Sequence, residues 1–269
     1  MAASNCEIIH RMSANFIEIA NVSKVFRTGD DKTLPVVDRI DLSIAQGEFI
    51  CILGPSGCGK STLLNLVAGF EKPSTGTITC GGAKIDSPGA DRGIVFQEHT
   101  LFEWMTVTEN VLFGLTCNPK IRRQVPNPEG RARECIDLVG LGGFESVYPN
   151  FLSGGMKQRA AIARSLAPDP RTLLMDEPFG ALDAQTRYVL QQELLQVWQR
   201  TGKTILFVTH SIEEAVFLAD RIVVMTHRPA RIKNVIELRH ARPRDINDSG
   251  LSAIKAELYD SMARERGST

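Results

Sequence analysis

Three short stretches of this chain carry residues of the right type and spacing for phosphate chemistry: GPSGCGKST at residues 54–62, LSGGMKQR at 152–159 and MDE at 175–177. A triphosphate carries several negative charges, and backbone N–H groups curled around it hold them without side-chain bulk. Gly54, Gly57 and Gly59 permit the backbone such a loop needs, and a helix opening near Lys60 aims its positive end at the phosphates. Within that loop, which also contains Pro55, Ser56 and Cys58, Lys60 is expected to reach the β- and γ-phosphates. The Ser61 hydroxyl is expected to ligate a hydrated Mg²⁺, and Thr62 to lie near the α-phosphate of ATP. Two adjacent carboxylates supply the other half of the chemistry. Asp176 would hold the Mg²⁺ shell through water, and Glu177, pointing elsewhere, would polarise the attacking water. A carboxylate pair capping the next helix is the other reading, against which Pro178 and Gly180 place a turn before that helix.

The elements that must position these groups are legible in the hydrophobic pattern. FICIL at 49–53 reads as a buried strand and STLLNLVAG at 61–69 as a helix, the strand–loop–helix order a phosphate loop demands. RTLLMDEP at 171–178 is a second buried strand ending in the two acids. GIVF, TILFVT and RIVVM join them in a mostly parallel sheet of the doubly wound kind. FIEIANVSKVF at 16–26 and IDLSIAQGEFI at 40–50 alternate as half-exposed strands. GTITCGGAKI at 76–85 adds another with a turn at Gly81 and Gly82, which predicts an antiparallel layer. Between residues 98 and 149 the strand pattern gives way to helical runs, TVTENVLFGL and EGRARECIDLVGL. The fold class is therefore α/β: a P-loop, RecA-like, mostly parallel core with an antiparallel β layer and an inserted helical subdomain at about 98–159. The cassette is expected to occupy 16–240, with a C-terminal extension at 241–269 whose SAIKAELYDSMARE is helical in pattern.

In LSGGMKQRAAIARSLA a glycine turn opens an amphipathic helix, a second anion-receptive helix start far from the first in sequence. With the loop at 54–62, the strand ending in Asp176 and Glu177 and this turn in that order, the chain resembles the ATP-binding subunit of an ABC transporter over nearly its whole length. The resemblance implies that Ser153, Gly154 and Gly155 clamp the γ-phosphate held by the loop of a second subunit, so that one chain holds two half-sites. It further implies that Gln97 contacts Mg²⁺ and links the site to a membrane subunit, and that ALD at 181–183 crosses the dimer interface. His210 would be the switch histidine at the γ-phosphate, and Phe26 the aromatic stacked on adenine. Phe26 stands where tyrosine is more usual, and a core phenylalanine is the other reading of that position. The implied catalytic set is Lys60, Gln97, Glu177 and His210.

At 269 residues and 43% hydrophobic the chain is long enough for one large domain, or a core with a subdomain. No apolar run reaches the ~18–20 residues of a membrane span, and no basic-then-apolar leader opens it, so it is expected in the cytoplasm. Lys and Arg total 31 and Asp and Glu 31, so no net field draws it to nucleic acid or anionic lipid, and membrane attachment must come through a specific partner. By resemblance the partners are a second ATPase subunit of the same kind, transmembrane permease subunits and, through them, an extracytoplasmic solute-binding protein. Residues 98–115, with Phe102, Trp104 and Met105, would line the permease groove, or else pack on the chain's own helices. GADRGIVFQ, TLFEWMTVTENV and DEPFGALDAQTR resemble the importer branch serving taurine, aliphatic sulfonates, nitrate and bicarbonate. An ATPase driving an exporter or envelope remodelling, with the same chemistry, is the alternative. The six cysteines show no CxxC spacing and read mostly as small buried hydrophobes. Cys58 is the exception: beside a helix start and Lys60, its thiol is expected to be acidic and labelled by maleimide, with ATP protecting.

Overall fold

The computed structural model describes residues 15–27, 29, 32–98, 100–242, 244 and 248–266, and in it the alternating and the uninterrupted apolar runs sort into two sheets. Strands β1 (Ile17–Arg27) and β2 (Thr33–Ile44) alternate buried with exposed residues and pair antiparallel. Strand β3 (Phe49–Leu53), buried throughout, leads through the glycine loop into helix α1 (Lys60–Ala68). Strand β4 (Thr75–Cys80) pairs with β1 and turns at Gly81 and Gly82 into β5 (Ala83–Lys84), which completes an antiparallel sheet in the order β2-β1-β4-β5. After β6 (Arg92–Val95) come the helices α2 (Val107–Thr116), α3 (Pro119–Gln124), α4 (Pro128–Leu138) and α5 (Gly154–Leu166). The chain then alternates: β7 (Thr172–Asp176), α6 (Ala184–Thr201), β8 (Thr204–Thr209), α7 (Ile212–Leu218), β9 (Arg221–Met225). An edge strand β10 (Ile232–Glu237) and helix α8 (Ser249–Arg266) follow.

The second sheet has the order β10-β9-β3-β8-β7-β6 and is parallel except at β10. Its central strands read as unbroken apolar runs because both faces are covered. Successive residues alternate between two cores: Phe49, Cys51 and Leu53 face the helices α2, α4 and α5 to α7, whereas Ile50 and Ile52 face α1 and the antiparallel sheet. The parallel register matters most for the site. Leu53 lies opposite Thr209, and Asp176 opposite Val208, so the glycine loop, the two acids and His210 all leave the sheet at one carboxyl edge.

One expected strand divides. The alternation across residues 40–50 is broken by a tight turn in which Glu48 N donates to the Ala45 carbonyl at 3.3 Å and its carboxylate accepts from Ala45 N at 2.8 Å. Gly47 supplies the left-handed residue of that turn (φ 77°), and Phe49 and Ile50 then belong to the other sheet. The break is marked in the sequence by Gln46 and Glu48, which fall where the phase of Ile40, Leu42 and Ile44 calls for apolar residues. Beyond residue 241, Arg242 donates to the Asp220 carboxylate at 2.5 Å and the Leu218 carbonyl at 2.6 Å. The buried Arg244 donates to the carbonyls of Val216 (2.9 Å), Phe217 (3.3 Å) and Ala219 (2.6 Å). Two guanidinium groups thus cap the carbonyl end of α7, where cations are favoured.

Candidate nucleotide site

At the start of α1 the helix has no side-chain cap: its N-cap is Gly59, and no acid stands in the first turn. The helices α2 to α7 each have one, from Thr106, Asn118, Asn127, Ser153, Asp183 and Ser211 respectively. The first N–H groups of α1 are left for a ligand, with the helix dipole behind them. Gly57 (φ 72°) and Gly59 (φ 126°) shape the loop. At Gly59 a Cβ would also stand 3.0 Å from the Val36 carbonyl oxygen and 3.3 Å from the Ala230 Cβ, so the loop is seated on β2 and the turn after β9. Ser56 and Gly57 form the exposed crest, while Gly54, Pro55 and Cys58 are buried beneath it.

Lys60 folds back under this crest. Its side chain is 4% exposed, and Nζ donates to the carbonyls of Gly54 and Pro55, each at 2.9 Å, and lies 3.7 Å from Glu177 Oε1. Ser61 Oγ donates to Asp176 Oδ1 at 3.0 Å. Burial raises the Asp176 carboxyl above its ordinary range, the Ser61 bond opposes that and the neighbouring Glu177 adds to it; a cation here would relieve the cost of the buried charge. Such a hydroxyl and carboxylate fit Mg²⁺, a hard cation that takes few protein ligands and fills its shell with water and phosphate oxygens. Among the described residues no cluster of three or more His, Cys, Asp or Glu side chains offers a fuller cage.

Glu177 adopts φ 44°, a left-handed conformation costing a non-glycine residue about 1–3 kcal/mol, which the fold absorbs by bonding its N–H to the Val208 carbonyl at 3.0 Å. This bend turns the carboxylate away from Asp176, and Glu177 Oε2 meets His210 Nδ1 at 2.7 Å. Lys60, Glu177 and His210 therefore form one connected set, beside the Ser61–Asp176 pair. Gln97 is exposed, with its amide nitrogen 3.6 Å from where a Cβ would stand at Gly180. Thr62 is half-buried in the first turn of α1. Phe26 is half-buried on β1 with the Lys24 ammonium 4.7 Å from its ring centre, and it pairs with Leu34, two residues before the Val36 that supports Gly59.

The glycine turn of α5 stands apart from this group. Ser153 Oγ accepts from Met156 N at 3.3 Å, Ser153 and Gly154 are exposed, and the atoms closest to Cβ positions at Gly154 and Gly155 belong to Leu182 (3.2 Å) and Thr186 (2.9 Å). Asp183 caps α6 through Thr186 N at 3.0 Å, and that backbone bond lowers its carboxyl pKa. On the helical side, Phe102 packs on Phe113 (ring centres 4.7 Å apart) and on Trp104 (5.3 Å), whereas Trp104 is 72% exposed.

The expectation for Cys58 is overturned. The residue is 1% exposed, its sulfur points inward to within 3.0 Å of a Cβ position at Gly54, and burial raises its thiol pKa more than Lys60 and the nearby N–H groups lower it. Cys51, Cys80 and Cys135 are buried as expected and Cys117 is exposed; Cys6 lies outside the described residues. Sequence inspection passed over Glu214. It is one of two acids, Glu213 and Glu214, in the first turn of α7, where acids are common for dipole reasons alone; only the structure shows it 5% exposed.

With the geometry in place, comparison with known proteins is decisive. The ABC transporter family model matches residues 37–180. An uncharacterized ABC transporter ATP-binding protein of Methanocaldococcus jannaschii is 49% identical over 85% of this chain and 84% of its own. The nitrate import ATP-binding protein NrtD of Synechocystis sp. is 48% identical over 82% of each chain, and the aliphatic sulfonates import ATP-binding protein SsuB of Bacillus cereus 43% identical over 90% of this chain and 94% of its own. Among solved structures, a dimeric ATP-binding cassette in a post-hydrolysis state bound to ADP and Pi superposes with a TM-score of 0.69 at 32% identity, covering 84% of this chain and all of that one.

Proposed function

Because this chain belongs to the ABC transporter family and is an ATPase, we propose that it is the ATP-hydrolysing subunit of a membrane importer for a small anion such as taurine, an aliphatic sulfonate or nitrate. The observation that carries the catalytic part is the connected group at the sheet's carboxyl edge, Lys60 to Glu177 to His210 with Ser61 to Asp176 beside it. In this reading ATP lies on the uncapped start of α1, and Lys60 exchanges its loop carbonyls for the β- and γ-phosphates. Ser61, Asp176 and Gln97 would hold Mg²⁺, which when bound neutralises charge on the phosphates and fixes their orientation. Glu177 takes the proton of the attacking water and His210 steadies both that carboxylate and the terminal phosphate. Ser153, Gly154 and Gly155 serve the nucleotide of a second copy, an arrangement supported by the exposure of Ser153 and Gly154 and by a similar cassette that is dimeric.

Closure of two such chains on ATP and their parting after hydrolysis would move a permease docked near Trp104 and the segment after Gln97. No helix among the described residues is long and apolar enough to cross a membrane, and the chain is placed by this reading at the cytoplasmic face, held by the permease. A solute-binding protein would deliver cargo from the far side. The anion class is supported by relatives named for nitrate and for aliphatic sulfonates at 48% and 43% identity. The test is reconstitution with the neighbouring permease in vesicles: ATP-dependent uptake of a sulfonate or nitrate is expected, and ATP-dependent efflux, or co-purification without any multi-span partner, would overturn it.

A further inference from the structure

We propose that Glu214 is a positioning residue for hydrolysis, holding the bend that presents His210 and tying that bend, through Arg187, to the loop at residues 181–183. The inference rests on the reading of His210 as the group that acts on Glu177 and the terminal phosphate. Glu214 sits one turn beyond His210 in sequence, and its side chain is buried. One carboxylate oxygen accepts from the Thr209 hydroxyl. That hydroxyl also accepts from Ser211 N at 3.0 Å, and Ser211 Oγ in turn accepts from Glu214 N at 3.2 Å. The residues on both sides of His210 are therefore pinned to Glu214, while the imidazole itself projects outward, 53% exposed, toward Glu177. With so little packing on the ring, its direction is set by the backbone that carries it together with the contact to Glu177.

The second carboxylate oxygen faces α6. It accepts from Gln191 Nε2 at 3.4 Å and lies 3.8 Å from Arg187 Nε, and Arg187 donates through Nη2 to the Leu182 carbonyl at 2.8 Å. Leu182 is the residue against which Gly154 packs. A continuous set of contacts therefore runs from His210 through Thr209, Glu214, Arg187 and Leu182 to the turn at Ser153 and Gly154, joining the two half-sites of one chain. Stability alone is a poor reason for this arrangement, because a buried carboxylate bears a desolvation cost that an apolar side chain of similar size avoids. Burial does raise the Glu214 carboxyl, with the Thr209 bond and the charge of Arg187 opposing.

The test compares purified wild-type chain with Glu214→Ala, Glu214→Gln, Thr209→Val, His210→Ala and the Glu214→Ala/His210→Ala double variant, by steady-state and single-turnover ATP hydrolysis and by binding of a fluorescent ATP analogue. A displaced catalytic group costs on the order of 100-fold per ångström, so Glu214→Ala and Thr209→Val are expected to lower kcat at least ~10-fold with KM and analogue affinity changed less than ~3-fold. Glu214→Gln, which keeps an oxygen to accept from Thr209, is expected to recover most of kcat. The double variant is expected to be no slower than His210→Ala alone. Normal kcat in folded Glu214→Ala and Thr209→Val, or a further ~10-fold loss in the double variant, overturns the proposal. If Glu214→Ala does not fold, Thr209→Val decides. Full turnover by His210→Ala would instead remove the reading of His210, and this inference with it; an inactive His210→Ala beside normal Glu214 variants removes this inference only.

Discussion

Two helices of this molecule begin at a glycine turn, and they begin differently. At α1 the cap is a glycine, the N–H groups have no side-chain partner, and a buried lysine, two carboxylates and a histidine gather around them. At α5 a serine caps the helix, the turn is exposed, and its neighbours are Leu182 and Thr186, neither of which has phosphate chemistry. Both starts favour an anion through the same dipole and orphan donors. The first has a lysine, two carboxylates and a histidine beside it; the second has donors without such groups. An exposed donor turn without its own catalytic groups is useful to a ligand carried by another molecule, and that contrast is the physical case for a shared site.

The sharpest way to break the comparison is to strip the first helix start. Lys60→Ala removes the buried cation of this site, and loss of a preorganised charge donor of this kind is expected to lower hydrolysis by about 100-fold or more, read as phosphate release. Glu177→Gln is expected to lower hydrolysis by about 10²–10⁴ while nucleotide affinity stays within ~3-fold. With ATP this variant should elute as a dimer in gel filtration; a monomer at every nucleotide concentration would contradict the shared site. The second helix start is probed by distributing two lesions. A mixed dimer of one Lys60→Ala chain and one Gly154→Asp chain leaves one shared site intact and should turn over ATP. Wild type mixed with a chain bearing both lesions leaves none and should not. Equal activity in the two mixtures would show that each chain works alone.

Smaller effects test the frame around the site. Arg244→Met leaves several buried carbonyls at the end of α7 without a donor, and a loss of about 3 kcal/mol in unfolding free energy is expected from denaturant titration. The smallest effect should be at Cys58. Its buried, raised thiol is expected to react slowly with maleimide whether or not ATP is present, and rapid labelling of the native chain at Cys58 would count against the inward packing seen here.

The groups that carry chemistry were legible because the constraints on them are local. A phosphate loop needs particular residues at consecutive positions, Lys60 and Ser61 open the helix that follows it, and Asp176, Glu177 and His210 stand at the ends of apolar runs that announce themselves as strands. The parallel sheet was legible for the same reason. The division of residues 40–50 was less so, since the strands on either side of Gly47 are both apolar and only Gln46, Gly47 and Glu48 separate them where the chain changes sheet. Strand β10 was missed as well: it lies at a sheet edge, is mostly exposed and carries a mixed pattern.

The amino-acid order by itself determined which backbone can wrap a phosphate, which strands are buried on both faces and which acids stand at their ends, because each of these depends on residues within a few positions of one another. Only the tertiary structure decided which way side chains face and what they meet across long separations. It turned the Cys58 sulfur inward, set Glu177 in a left-handed bend against His210, brought Arg244 to the end of α7 and buried Glu214 between α6 and α7. Burial and partnership of a polar group are properties of the packed whole, and two adjacent glutamates at a helix start carry no local mark of which one solvent will lose.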